Sequence, residues 1–271
     1  MFKSSIAGIV WPLGLAFGLG SQAMAEETSL PGRADPATIV PDGPVNPASG
    51  APADWVDPMK DDSLHQLTAI DRAEFGTGHP EDSYLWEAYG WIGGDIHRFW
   101  WQTEGEGATA GGDPESASIE ASYGRAITPF WNALAGVRYD PYPGDDRAFG
   151  LLRLRGLAPL FVETEVSLFV SEDGVPSVRG EFEYELLMTQ RLRLAPRAEI
   201  NIGARDADYG LGRGLQNTEL DLRLKYQVAR EFSPYIGVRY EQRYGDTADQ
   251  ADIEGESDSA TAFVIGFSAW Y

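Results

Sequence analysis

The sequence predicts an all-β protein, an antiparallel transmembrane up-and-down β-barrel of about twelve strands. Three observations carry that prediction. First, apolar and charged residues alternate strictly: Val162, Thr164, Val166, Leu168 and Val170 with Glu163, Glu165, Ser167 and Phe169, and Thr218 through Val228 with Glu219, Asp221, Arg223, Lys225 and Gln227. A period of two puts one greasy and one charged face on each strand. Second, these strands run to about ten residues, the length of a tilted membrane-crossing strand and longer than those of a soluble sandwich. Third, short turns and longer loops alternate along the chain, as in bacterial outer-membrane barrels.

Residues 1–25 read as a cleaved signal peptide, with Lys3, an apolar run from Ile6 to Leu19 and the small-x-small site Ala23-Met24-Ala25. Residues 26–63 carry Pro31, Pro36, Pro41, Pro44, Pro47, Pro52 and Pro58 among Ala, Gly and Asp. A segment so poor in large apolar groups does not offset its ordering entropy, so a disordered periplasmic tail is expected. The barrel then occupies 64–271. Its short turns are expected at Gly93-Gly94-Asp95, Ile127-Thr128-Pro129, Leu157 to Leu160, Met188-Thr189-Gln190 and Ala229 to Ser233. The longer loops are expected at Gly76 to Ser83, Gly107 to Glu115, Asp140 to Arg147, Ser171 to Pro176, Gly203 to Gly214 and Gly245 to Ser259. The first strand, near Leu67 to Phe75, alternates poorly, and Pro196 inside a strand should mark a bulge.

In the last strand Phe263, Ile265, Phe267, Ala269 and Tyr271 share the face expected to meet lipid. Trp86, Trp91, Phe99, Trp101, Trp131, Tyr139, Tyr235, Tyr244 and Tyr271 sit near turns or loops, where two interfacial girdles belong. The chain has no cysteine and a formal charge of -21, so disulfides are absent and nucleic acid is not a partner.

With apolar residues toward lipid, the charged stripes face the lumen. Counting out from the turns places Arg155 opposite Glu163, Arg153 opposite Glu165, Glu185 opposite Arg191 and Glu183 opposite Arg193. On one reading these are salt bridges bracing the wall. On the other, Glu163, Glu165, Glu181, Glu183 and Glu185 form an acidic ridge that binds or passes a divalent cation. The last loop, with Asp246, Asp249, Asp252, Glu254, Glu256 and Asp258, reads as a solvated, mobile loop, or else as a cation-gathering vestibule.

The blocks "WIGGDIHRFWWQTEGE", "YGRAITPFWNALAGVRYD", "RGLAPLFVETEVSLFVSEDG", "YELLMTQRLRLAPRAEINI" and "REFSPYIGVRYEQRYGDTAD" resemble the copper resistance protein B family of outer-membrane proteins across nearly all of Leu64 to Tyr271. The resemblance implies a barrel in the bacterial outer membrane that binds copper ions or moves them across it, and it leaves room for a periplasmic copper-handling partner. Copper is the one ion or cofactor it implies. Its members often carry a Met- and His-rich tract before the barrel, whereas here the mature chain keeps only Met59 and Met188. Candidate metal donors are His65, His97 and Met59. A non-selective or structural barrel is the alternative. An outer-membrane hydrolase would need a Ser-His pair, and no nucleophile motif stands out, so an enzyme is not expected.

Overall fold

The computed structural model describes residues 63–79, 82–111, 113–142, 146–204, 212–254 and 257–271. The signal segment, the tail up to Asp62 with Met59, and Glu256 lie outside them. Strands form where the alternation predicts: β1 (His65–His79), β2 (Ser83–Gly93), β3 (His97–Ala108), β4 (Ser116–Thr128), β5 (Trp131–Tyr142), β6 (Arg147–Ala158) and β7 (Val162–Ser171). They continue with β8 (Pro176–Glu183), β9 (Leu186–Leu187), β10 (Leu192–Gly203), β11 (Gly214–Tyr226), β12 (Phe232–Arg243) and β13 (Ser259–Trp270). Each pairs antiparallel with its neighbours, and β13 returns to β1, so the sheet closes into a barrel. Segments β8 and β9 are two halves of one stave, which makes twelve. Closure leaves no unpaired edge, the condition for a sheet to stand in hydrocarbon.

The facing follows the sequence. Phe263 and Ile265 are 66% and 60% exposed, while Val264 between them is buried. Tyr271 exchanges backbone hydrogen bonds with Thr68 at 2.9 and 2.8 Å, extending the seam between first and last strands.

The weak alternation of β1 has a local cause. Pairing with β2 and with β13 slips next to Asp71, a β-bulge. An extra residue inverts the parity, so Ala69 faces in before it and Arg72 and Glu74 face in after it. Pro196 makes no bulge of its own. It pairs with Leu222 on one side, and on the other it faces the gap between β8 and β9, so the irregularity falls on the neighbouring strand.

Two expected registers are corrected. Arg155 lies opposite Glu165 and Arg153 opposite Ser167, whereas Glu163 faces Leu157. The turn there is a single 3-10 turn over Pro159–Phe161, in which Leu160 and Phe161 take left-handed φ of 69° and 62°, so its centre falls one residue later than expected. At the next turn Arg193 lies opposite Leu187 and Glu183 opposite Arg197, because strand pairing resumes only at Leu192. Arg191 is an exposed turn residue and not a lumen partner of Glu185.

The girdle is real but thinner than expected. Trp86, Trp101 and Trp131 lie on the outer wall, each against a glycine of an adjacent strand: Gly105, Gly90 and Gly156. A Cβ on Gly105 would sit 2.3 Å from the Trp86 ring, so only glycine gives the indole its place. Tyr235 and Trp91 are corrected to the lumen. Tyr235 is buried and bonds Glu74, and Trp91 packs on Trp100 beneath the Arg98 guanidinium.

The last long loop is corrected as well. It contains a helix, α1 (Asp246–Glu254), with Thr247 and Ala251 buried. The Thr247 hydroxyl accepts the Gly212 N–H at 2.8 Å and ties the helix to the neighbouring loop.

Candidate functional site in the barrel lumen

Inward-facing positions carry an uncommon share of charge. At mid-height Arg72 donates to Glu87 at 2.7 Å and to Glu219 at 3.1 Å. Glu74, on the next inward position of β1, accepts from Arg223 at 2.7 Å and from the Tyr235 hydroxyl at 2.9 Å, and also pairs with Arg239. Arg197 reaches Glu181, Glu199, Glu219 and Asp221 at 3.0, 2.6, 2.7 and 3.1 Å. The side chains of Glu74 and Asp221 are 1% and 0% exposed. Beside them Arg153 bridges Glu120 at 2.7 Å and Glu165 at 2.8 Å.

These bonds do not stop at neighbouring strands. Glu104 of β3 accepts from Arg179 of β8, across the bore, at 2.7 Å and from Arg138 of β5, over β4, at 2.9 Å, while Lys225 of β11 reaches over β10 to Glu183 of β8 at 2.6 Å. Charges this deep are tolerable only because each has an opposite partner. The result is a waist of ion pairs that divides the lumen.

Two chambers lie on either side of it. The first, of about 430 Å³, opens at the end that holds the short turns and is lined by Asp71, Tyr89, Glu185, Arg193 and Lys225. The second is a vestibule of about 930 Å³ at the end of the longer loops, lined by Glu104, Arg138, Phe149, Phe169, Arg179 and Glu241 among others. Residues Thr247, Gln250 and Ala251 of α1 form part of its wall. The two chambers share no lining residue.

The five glutamates of the expected ridge do come together: Glu163 faces Glu183 and Glu165 faces Glu181 across β7 and β8, and Glu185 follows just past the end of β8. Four of them are taken up by cations. Glu165 pairs with Arg153 and, at 3.5 Å, with Arg155; Glu181 pairs with Arg197, Glu183 with Lys225, and Glu185 with Arg193 at 2.7 Å. Glu163 is exposed near the turn end.

His65 is exposed at the start of β1, and His97 is exposed at the start of β3, where its Nδ1 shares a hydrogen bond with the Tyr123 hydroxyl. Among the described residues no group of three or more His, Cys, Asp or Glu stands ready to hold a metal ion. The alternation marked Arg223 on the charged face of β11, and the same parity rule applies to Glu104 on β3 and Arg239 on β12, which were not singled out; Glu74 lies beyond the β1 bulge, where the rule changes phase.

Comparisons with known proteins agree with this architecture. A family model described as "Copper resistance protein B precursor" matches residues 64–271. Copper resistance protein B of Escherichia coli is 39% identical over 79% of this chain and 72% of its own. A copper resistance protein B homolog of Pseudomonas syringae pv. tomato is 31% identical over 100% of this chain and 94% of its own. Among solved structures, the NanC porin superposes with a TM-score of 0.52 at 15% identity, covering 74% of this chain and 98% of the porin, which is a likeness of fold. With a closed barrel of outer-membrane type and a family match running from its first strand to its last, the chain belongs to the copper resistance protein B family.

Proposed function

We propose that this barrel serves copper resistance by receiving copper in the vestibule and passing or retaining it at the ion-paired waist. In this reading the long loops and α1 face the cell exterior and the short turns face the periplasm. Copper is cargo, not a resident cofactor. The observation that carries the proposal is the vestibule itself, a large chamber rich in carboxylates above a waist that an ion cannot pass without exchanging partners. Family membership supplies the metal, and the partnered charges supply a barrier.

The test is metal content and conductance of the purified full chain. Retention of copper in preference to zinc, with low conductance that rises when Arg197 is replaced by Ala, supports the reading. A barrel that passes small ions freely and retains neither metal would be a non-selective pore. A barrel that does neither, before and after the substitution, would be a purely structural one.

A further inference from the structure

Carboxylates alone select poorly for copper, and hydrated copper would need several free donors. Several carboxylates of the vestibule are already engaged. Glu104 is held by Arg138 and Arg179, Glu219 by Arg72 and Arg197, and Asp140 by Arg138 at 2.6 Å. A bare cation seated among these three must displace guanidinium groups from their carboxylates.

The chamber nonetheless has the features of a small-molecule site. Its volume of about 930 Å³ falls within the range that holds organic ligands. Its lining mixes both charges with an apolar edge, where Phe149 and Phe169 meet edge to face and the Arg138 and Arg179 guanidiniums lie over Phe169 at 5.1 and 5.8 Å. Two buried polar atoms on this wall, Ser118 Oγ and Asn217 Oδ1, have no hydrogen-bond partner within the chain, and Ser118 is 1% exposed. One can donate and the other accept. Guanidiniums suit carboxylates, and the free lone pairs of Asn217 and the wall carboxylates suit amine hydrogens.

We infer that the vestibule takes copper as a small chelate whose ligand carries both a carboxylate and an amine, the amino-acid class, and not as the hydrated ion. This rests on the copper reading above. It also answers the selectivity problem, because the nitrogen donors that distinguish copper arrive with the metal.

The experiment titrates the full chain in micelles with copper(II) in excess glycine, with copper(II) in a weakly coordinating buffer, with zinc(II) in glycine, and with glycine alone. Bound copper is read by electron paramagnetic resonance with ordinary and ¹⁵N-labelled glycine. The glycinate complex should bind about tenfold more tightly than hydrated copper, and the isotope should alter the splitting of the bound signal, since the ligand stays on. Arg179→Gln should weaken the chelate about tenfold while leaving hydrated copper equal or tighter, because Glu104 is released. Phe169→Leu, with its thermal unfolding followed in parallel, tests the apolar edge without removing a charge and should weaken the chelate alone. Hydrated copper binding at least as tightly as the chelate, or a bound signal blind to the isotope, overturns this inference and leaves the copper reading standing. Binding of neither form removes both.

Discussion

Tyr184 donates its backbone N–H to the carbonyl of Pro196 at 3.1 Å and receives nothing in return, because proline has no hydrogen to give. The stave divides into β8 and β9 at this point. Replacing Pro196 by Ala restores the donor. The amide at 196 should then be protected from hydrogen exchange, with stability moving by no more than about 1 kcal/mol as the new bond is set against a freer unfolded chain. Rapid exchange at that amide would show that the break has another cause.

The outward facing of β13 sets a second expectation. Ile265→Arg places a charge in the apolar band and should cost roughly 2 to 4 kcal/mol in bilayer folding measurements. Ser268→Arg points into the chamber that also holds Asp71 and Glu185 and should cost less. The reverse order would invert the assigned faces.

At the waist, Glu74→Gln removes the charge that Arg223 and Arg239 share. The two guanidiniums keep Asp221 and Glu219 but lose their nearest carboxylate, which should cost up to about 3 to 5 kcal/mol, whereas Tyr235→Phe, which deletes one hydrogen bond, should cost about 1 to 2 kcal/mol. Denaturant unfolding of the two variants side by side checks the ranking, and equal losses would mean that the pairing carries little of the stability.

Thr247→Val leaves the Gly212 N–H without its acceptor. The amides of α1 should exchange faster by about tenfold or more, since an orphaned buried donor costs about 1 to 3 kcal/mol. Unchanged exchange would place the anchor of the helix elsewhere, in the packing of Ala251.

Because the chain lacks cysteine, a single introduced thiol can be labelled without background. In intact cells Ser257→Cys should react with an impermeant reagent and Ala229→Cys should not. The opposite pattern would turn the barrel over in the membrane.

The strand periodicity, the turns and the lipid-facing residues of β13 were legible because each depends on neighbours in the chain. Register was less so. The left-handed backbone at Leu160 and Phe161 gives no composition signal, yet it moves Arg155 from Glu163 to Glu165. Asp71 hid the phase of β1 for a similar reason, since one extra residue reverses every later position. The cross-lumen bonds were out of reach of the sequence altogether: Glu104 and Arg179 meet only after the sheet has curled round on itself. Helix α1 was missed because its acidic composition looks like that of a solvated loop, and the Thr247 hydroxyl and the buried Ala251 that help to hold it carry no sequence signal.

The ion pairs of the waist are made by side chains of the wall strands themselves, and this sets how they can rearrange. Arg197 has four carboxylates within reach, so it can let go of one while keeping three, with no change in the backbone. If the barrel passes copper as proposed, passage would look less like the swing of a door than like a handover between neighbouring carboxylates.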